Sequence, residues 1–111
     1  MRPTDEALVS AARQAKEKAY APYSHFSVGA AVDGDDGKVY TGCNVENGSY
    51  GLTSCAERNS VFAAFAAGCR KIYSVAVVAD EDYTLPCGAC RQVLAEFSAE
   101  RIILTAKDGR Y

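Results

Sequence analysis

Three of the five cysteines in this 111-residue sequence fall in two short patches, each at a predicted helix start: Ser54-Cys55-Ala56-Glu57-Arg58 and Leu85-Pro86-Cys87-Gly88-Ala89-Cys90-Arg91-Gln92. A Cys-x-x-Cys pair at a helix start can aim both sulfurs at one point, where the positive helix end favours thiolates. Cys55, brought in from the second helix, completes a set of three sulfurs. Three protein ligands are what a catalytic zinc takes when its fourth position is kept for water. Any fold for this chain therefore has to set two helix N-termini, distant in sequence, side by side. Taken alone, Cys87 and Cys90 suit a redox pair or a structural zinc clasp as well as a catalytic site; Cys55-Ala56-Glu57 upstream tips the reading to catalysis. An odd number of cysteines cannot pair completely within one chain, and Cys43 and Cys69 are read as buried small apolar groups.

Glu57 lies two residues beyond Cys55 on the same predicted first turn. A carboxylate beside a metal-held water, but not itself a ligand, is suited to move protons between water and substrate. Three thiolates outweigh a divalent cation by one negative charge, which would make the water harder to deprotonate. Arg58 is the first candidate to offset it through a charged hydrogen bond to a ligand sulfur, and Gln92 the second.

The remaining pattern predicts the layers around this site. Thr4 caps a helix with Asp5 and Glu6 in its first turn and alanines and Leu8 at helical spacing, running to near Tyr20 before Pro22. The run from Val28 to Val32, the turn Asp33-Gly34-Asp35-Asp36-Gly37 and the segment from Lys38 to Val45 read as a hairpin. A polar loop, 46–54, leads to a helix from about Cys55 to Ala67, capped by Thr53 or Ser54 and ended by Gly68. Ile72 to Ala79 reads as a buried strand, Pro86 to about Ser98 as a helix, and Ile102-Ile103-Leu104 as a last strand. Strands alternating with helices after an initial hairpin predict an α/β fold with a mixed sheet covered by helices and parallel later strands. Asp82 and Tyr83 read as a polar loop and His25, the only histidine, as a surface residue.

Composition excludes several classes. Twelve Lys and Arg against fourteen Asp and Glu leave a net charge of −2, so no basic footprint for a nucleic-acid backbone is present. The longest apolar run, Val61 to Ala67, is far below the roughly 18 residues of a membrane span. No apolar segment at the start suggests a signal peptide, and the chain reads as cytoplasmic. Residues 1–111 read as a single domain, within the usual range of roughly 100 to 200 residues.

Four ordered motifs carry a resemblance: residues 20–31 (Tyr20-Ala21-Pro22-Tyr23-Ser24-His25-Phe26-Ser27-Val28-Gly29-Ala30-Ala31), residues 42–50 (Gly42-Cys43-Asn44-Val45-Glu46-Asn47-Gly48-Ser49-Tyr50), Cys55-Ala56-Glu57-Arg58, and Pro86-Cys87-Gly88-Ala89-Cys90-Arg91-Gln92-Val93. Together they resemble the small homotetrameric zinc-dependent cytidine deaminases, whose signature is a ligand, one residue, Glu, then Pro-Cys-x-x-Cys. The resemblance implies a three-layer α/β/α sandwich, one zinc per subunit, and hydrolytic deamination of cytidine or deoxycytidine with release of ammonia. It assigns zinc to Cys55, Cys87 and Cys90, proton transfer to Glu57, and charge compensation to Arg58. It matches Asn44 and Glu46 to the pair that binds the ribose hydroxyls, Phe26 to an aromatic against the nucleoside, and the Ala56 backbone to a contact with the base. From the residues alone, Asn44 and Glu46 serve equally to order a turn, and Phe26 equally to pack the core. Tyr50 matches a position near a subunit boundary that helps complete an adjoining site. Gly48 stands where the family usually has alanine. Family members usually continue into a segment with Leu-Leu-Pro and a late aromatic that stacks on the base from a neighbouring subunit; this domain is expected to lack it.

Overall fold

The structure, a computed structural model, describes residues 2–111. Three helices and four strands follow one another as α1 (Asp5–Lys16), β1 (Val28–Gly34), β2 (Val39–Cys43), α2 (Ala56–Ala66), β3 (Ile72–Ala79), α3 (Gly88–Glu96) and β4 (Arg101–Leu104), with a 3-10 turn at Tyr50–Leu52. The sheet order is β2-β1-β3-β4. β1 runs antiparallel to both β2 and β3, while β3 and β4 are parallel. Since β2 and β3 both oppose β1, the β2-α2-β3 and β3-α3-β4 segments each join parallel strands, as the alternating pattern predicted.

Period-two alternation divides the sheet into two apolar faces. Ala31 of β1 and Ala76 and Val78 of β3 meet Leu8, Val9 and Ala12 of α1. Ala30 and Val32 of β1 and Val75 and Val77 of β3 face the other way, onto Val61 and Ala64 of α2 and Leu94 of α3. The result is a three-layer α/β/α sandwich with a mixed sheet, α1 on one side and α2 and α3 on the other. Among the described residues, no helix is long and apolar enough to cross a membrane.

Two glycines set how closely helices lie on this sheet. A Cβ on Gly29 would meet the Ala12 carbonyl oxygen at 2.0 Å and the Lys16 nitrogen at 2.4 Å, so α1 rests directly on the β1 backbone. A Cβ on Gly42 would meet the Ser60 nitrogen at 2.5 Å and the Ala56 oxygen at 2.7 Å. Gly42 therefore fixes the height of the first turns of α2 over β2, and with them the positions of Cys55 and Glu57.

Several boundaries differ from the sequence expectation for identifiable reasons. Thr4 caps α1 as predicted, accepting from the Ala7 nitrogen at 3.1 Å. The helix stops at Lys16 rather than near Tyr20, because the Tyr20 backbone bonds the strand-like segment opposite: its nitrogen donates to Asn44 and its oxygen accepts from Glu46, each at 2.9 Å. Neither Thr53 nor Ser54 caps α2. The N-cap is Cys55, with no side-chain cap bond, and the Ser54 hydroxyl instead donates to Asn59 Oδ1 at 2.6 Å. Pro86 precedes α3, which starts at Gly88 with Cys87 as cap. The 3-10 turn in the predicted polar loop had no periodic signal to reveal it. Cys69 is buried as expected, but Cys43 is only half-buried, its thiol directed at the Lys18 carbonyl at 3.5 Å.

Candidate functional site

Cys55 and Cys87 are the N-caps of α2 and α3, and Cys90 lies one turn into α3. The two helix starts therefore converge, and the sulfurs of all three residues lie within 4.8 Å of one another. Cys55 and Cys87 Sγ are 3.8 Å apart and Cys87 and Cys90 Sγ 3.3 Å. A tetrahedral ion with metal–sulfur bonds of about 2.3 Å would set its sulfurs roughly 3.8 Å apart. The donor set and its spacing fit zinc.

The acidity of the cluster supports the same reading. The hydrogen bond from Cys90, with Arg58 assisting, brings the Cys55 thiol down to about 5. That bond and burial push Cys90 up, so without a cation one sulfur ionises at the expense of the other. A dication relieves this conflict by drawing every sulfur into its thiolate form. Arg58 Nη2 lies 3.3 Å from Cys55 Sγ, while its Nε is buried with no partner.

Glu57, on the first turn of α2, is buried at 6% exposure. Loss of water raises its carboxyl above the usual carboxylate value, with the nearby Cys55 charge adding to the effect. A raised pKa lies nearer the working pH, where a carboxyl can serve in turn as proton acceptor and donor.

These groups open onto a cleft of about 260 Å³ lined by Phe26, Asn44, Glu46, Cys55, Ala56, Glu57 and Cys87, among others. Seven of the residues singled out in the sequence thus share one space. Cys90 and Arg58 stand behind it, touching Cys87 and Cys55. Gln92 does not join them: it lies exposed on α3, outside the cleft lining. Helical geometry explains this, since Gln92 and Cys90, two positions apart, point to different sides of α3. Tyr50 is 79% exposed and lines a neighbouring groove that shares Ser24, Glu46 and Thr53 with the cleft.

Asn44 and Glu46 also order the backbone, so the structural role open in the sequence is present. The Asn44 amide accepts from Val28 N at 2.9 Å and donates to Phe26 O at 2.9 Å. The Glu46 carboxylate accepts from the Tyr23 and Ser24 nitrogens at 3.0 and 3.1 Å and from the Ser24 hydroxyl. These bonds hold it below the usual carboxylate range, the Ser24 hydroxyl contributing most. Sequence reasoning gave no site role to Ser24, Thr53, Thr84 or Leu85, which also line the cleft. Ser24 lies within the 20–31 motif and Leu85 within the second cysteine patch, Thr53 reads as a helix cap, and Thr84 adjoins that patch.

A family model described as the cytidine and deoxycytidylate deaminase zinc-binding region matches residues 2–106. A cytidine deaminase of Sporosarcina psychrophila is 53% identical over 93 residues, which span 83% of this chain and 68% of that relative. The crystal structure of cytidine deaminase from Burkholderia pseudomallei superimposes with a TM-score of 0.90 at 52% identity, covering 96% of this chain and 88% of that one. The cytidine deaminase structure from Mycobacterium tuberculosis gives 0.83 at 48% identity, over 90% and 85% of the two chains.

Proposed function

The chain belongs to the cytidine and deoxycytidylate deaminase family, and on that premise we propose that it catalyses zinc-dependent hydrolytic deamination of cytidine or deoxycytidine, giving the uracil nucleoside and ammonia. The single observation that carries this reading is the shared cleft, where a buried carboxyl, Glu57, stands beside a three-sulfur cluster of metal-binding dimensions.

Cys55, Cys87 and Cys90 would hold the zinc. Bound there, it would supply Lewis acidity that lowers the pKa of water toward about 7. Glu57 would take a proton from the attacking water and deliver it to ring atom N3 as oxygen adds at C4. It then carries the second proton to the departing amino group. Arg58 offsets the excess thiolate charge through Cys55. Phe26 packs against the nucleoside, the Ala56 backbone meets the base, and Asn44 and Glu46 hold the ribose. One water is consumed and one ammonia released for each nucleoside converted.

The working form is proposed to be a homotetramer whose sites are completed by neighbouring subunits. Exposed aromatic and aliphatic side chains support this: Tyr50 at 79%, Leu52 at 70%, Phe62 at 49% and Phe65 at 39%. Phe62 and Phe65 make the outer side of α2 apolar as well as its core-facing side, a pattern suited to a helix covered on both. Mass in solution should correspond to four copies. The acidic net charge argues for free nucleosides over polynucleotides as substrates, and pyrimidine salvage of this kind suits the cytoplasm.

The deciding experiment follows cytidine in the ultraviolet and ammonia in parallel, using folded, zinc-loaded protein. Conversion to uridine with equal ammonia is the expected result. A loaded sample that binds cytidine without turnover would make this a binding module. Weak turnover of cytidine beside rapid turnover of a modified cytosine nucleoside would shift the substrate.

A further inference from the structure

Among the described residues, every hydrogen bond that the Glu46 carboxylate accepts comes from the Tyr23-Ser24 segment. Its Oε1 takes the two backbone N–H groups, and its Oε2 takes the Ser24 hydroxyl. The same Ser24 oxygen accepts from the Phe26 nitrogen at 3.1 Å. The direction of this relay is fixed, because an ionised carboxylate only accepts, so the hydroxyl proton lies toward Glu46 and a lone pair toward Phe26. His25, between them, has φ 57°, the left-handed conformation that wraps residues 24 and 26 around one oxygen atom.

Each carboxylate oxygen has room for about two donors. Oε1 is filled by its two N–H partners, and Oε2 retains one acceptor position beside the Ser24 hydroxyl. Ser24, Phe26 and Glu46 all line the cleft that also holds Glu57. A small hydroxyl thus ties the orientation of an acidic side chain to that of an aromatic residue across one cavity.

Resting on the nucleoside reading above, we propose that Ser24 is a positioning residue for the sugar: it fixes Glu46 so that the remaining acceptor position on Oε2 meets a ribose hydroxyl. Ser24 acts through Glu46 and takes no part in proton transfer at the base. Its removal should therefore weaken nucleoside binding in the ground state and the transition state alike, which moves KM more than kcat.

The test compares zinc-loaded wild type, Ser24→Ala, Ser24→Thr, Glu46→Gln and the Ser24→Ala/Glu46→Gln double variant on cytidine and on 2′,3′-dideoxycytidine. Ser24→Ala should raise KM for cytidine about tenfold, the scale of one hydrogen bond to a charged group, with the larger part of the effect in KM. Ser24→Thr, which keeps the hydroxyl, should recover most of that affinity. The Ser24→Ala effect should fall below about twofold on the dideoxy substrate and in the Glu46→Gln background, because coupling vanishes once either end is gone. An unchanged KM for cytidine in Ser24→Ala overturns the proposal, as does an equal rise on both substrates. Should Glu46→Gln turn over too slowly to measure, the two-substrate comparison decides alone. A wild type inactive on cytidine defeats the nucleoside reading itself, whereas an active wild type matched by Ser24→Ala defeats only the role of Ser24.

Discussion

Arg58 reaches the metal-binding cluster through Cys55, its Nη2 set 3.3 Å from the sulfur three residues earlier on α2. The guanidinium is the only cation in hydrogen-bond contact with these sulfurs among the described residues. It adds to the Cys90 hydrogen bond, the larger cause, in stabilising the thiolate form and bringing the Cys55 thiol down to about 5. Groups that hydrogen-bond a metal ligand typically contribute about 10- to 100-fold to metal affinity or activity. Arg58→Ala is expected to lose kcat/KM within that range. Arg58→Lys should recover only part of it, since an ammonium lacks the planar fork. Zinc content and steady-state kinetics of the two variants check this, and wild-type kinetics in both would remove Arg58 from the site.

Glu57→Gln retains the shape of the side chain and removes its ability to exchange a proton. Proton transfer by a positioned group contributes about 10² to 10⁴ in rate. The variant should bind a full complement of zinc, melt close to wild type, and lose at least a hundredfold in kcat. Turnover near normal would assign proton transfer to another group.

Cys87→Ser separates the ligand role from the proton-transfer role. Cys87 caps α3 and stands between the other two sulfurs, 3.8 Å from Cys55 and 3.3 Å from Cys90. A serine hydroxyl still caps the helix, so loss of the sulfur should act mainly through the metal. Because metal binding is coupled to folding, zinc content should fall and the zinc-dependent rise in melting temperature should shrink. Full occupancy with unaltered melting would contradict the ligand assignment.

The sequence made the metal cluster legible because its chemistry is local: ligand spacing, helix caps and the carboxylate two residues on are all short-range features. The core strand Ile72–Ala79 was equally readable, since an unbroken valine-rich run has few other uses. What escaped was long-range. Nothing in residues 17–20 signals that the Tyr20 backbone bonds Asn44 and Glu46, so α1 was read a turn too long. Ser24 gave no sign that its hydroxyl sits between Glu46 and Phe26, because that depends on bringing residues 22 apart in sequence into contact. Gln92 was overread for the opposite reason: proximity in sequence to Cys90 says nothing about which side of a helix a side chain occupies.

Two glycine substitutions should distinguish stability from site geometry. Gly29→Ala forces a methyl against the α1 backbone at Ala12 and Lys16, on the sheet face opposite α2 and α3. Gly42→Ala forces one against α2 at Ala56 and Ser60. Overpacking of this kind typically destabilises by about 1 to 3 kcal/mol, and both variants should melt at lower temperature. Only Gly42→Ala displaces the turn that carries Cys55 and Glu57, so at temperatures where both are folded it should show the larger fall in kcat. Equal kcat values would mean that the height of α2 does not set the site.

Acid should weaken the fold through Asp80. Its carboxylate receives Lys16 Nζ at 2.7 Å on one oxygen and the Ser27 nitrogen at 2.8 Å on the other, tying α1 and the start of β1 to the end of β3. The Lys16 hydrogen bond, then the Ser27 backbone, hold its pKa below the ordinary value. A depressed folded-state pKa means the unfolded chain binds the proton more readily, so this contribution is complete above the unfolded pKa of about 3.9 and is lost as pH falls through the folded value. Melting temperature should therefore drop on acidification below about pH 4. Asp80→Asn cannot ionise, so it should melt lower than wild type at pH 7 and show a shallower decline in acid. The side chain is 38% exposed, which screens the Lys16 pair and keeps the effect modest. Ser27 adjoins Phe26 and Val28 of the cleft, so the same variant should also raise KM for cytidine at pH 7. Parallel acid slopes in wild type and variant, measured by thermal melts from pH 3 to pH 7, would assign the acid sensitivity to other carboxylates.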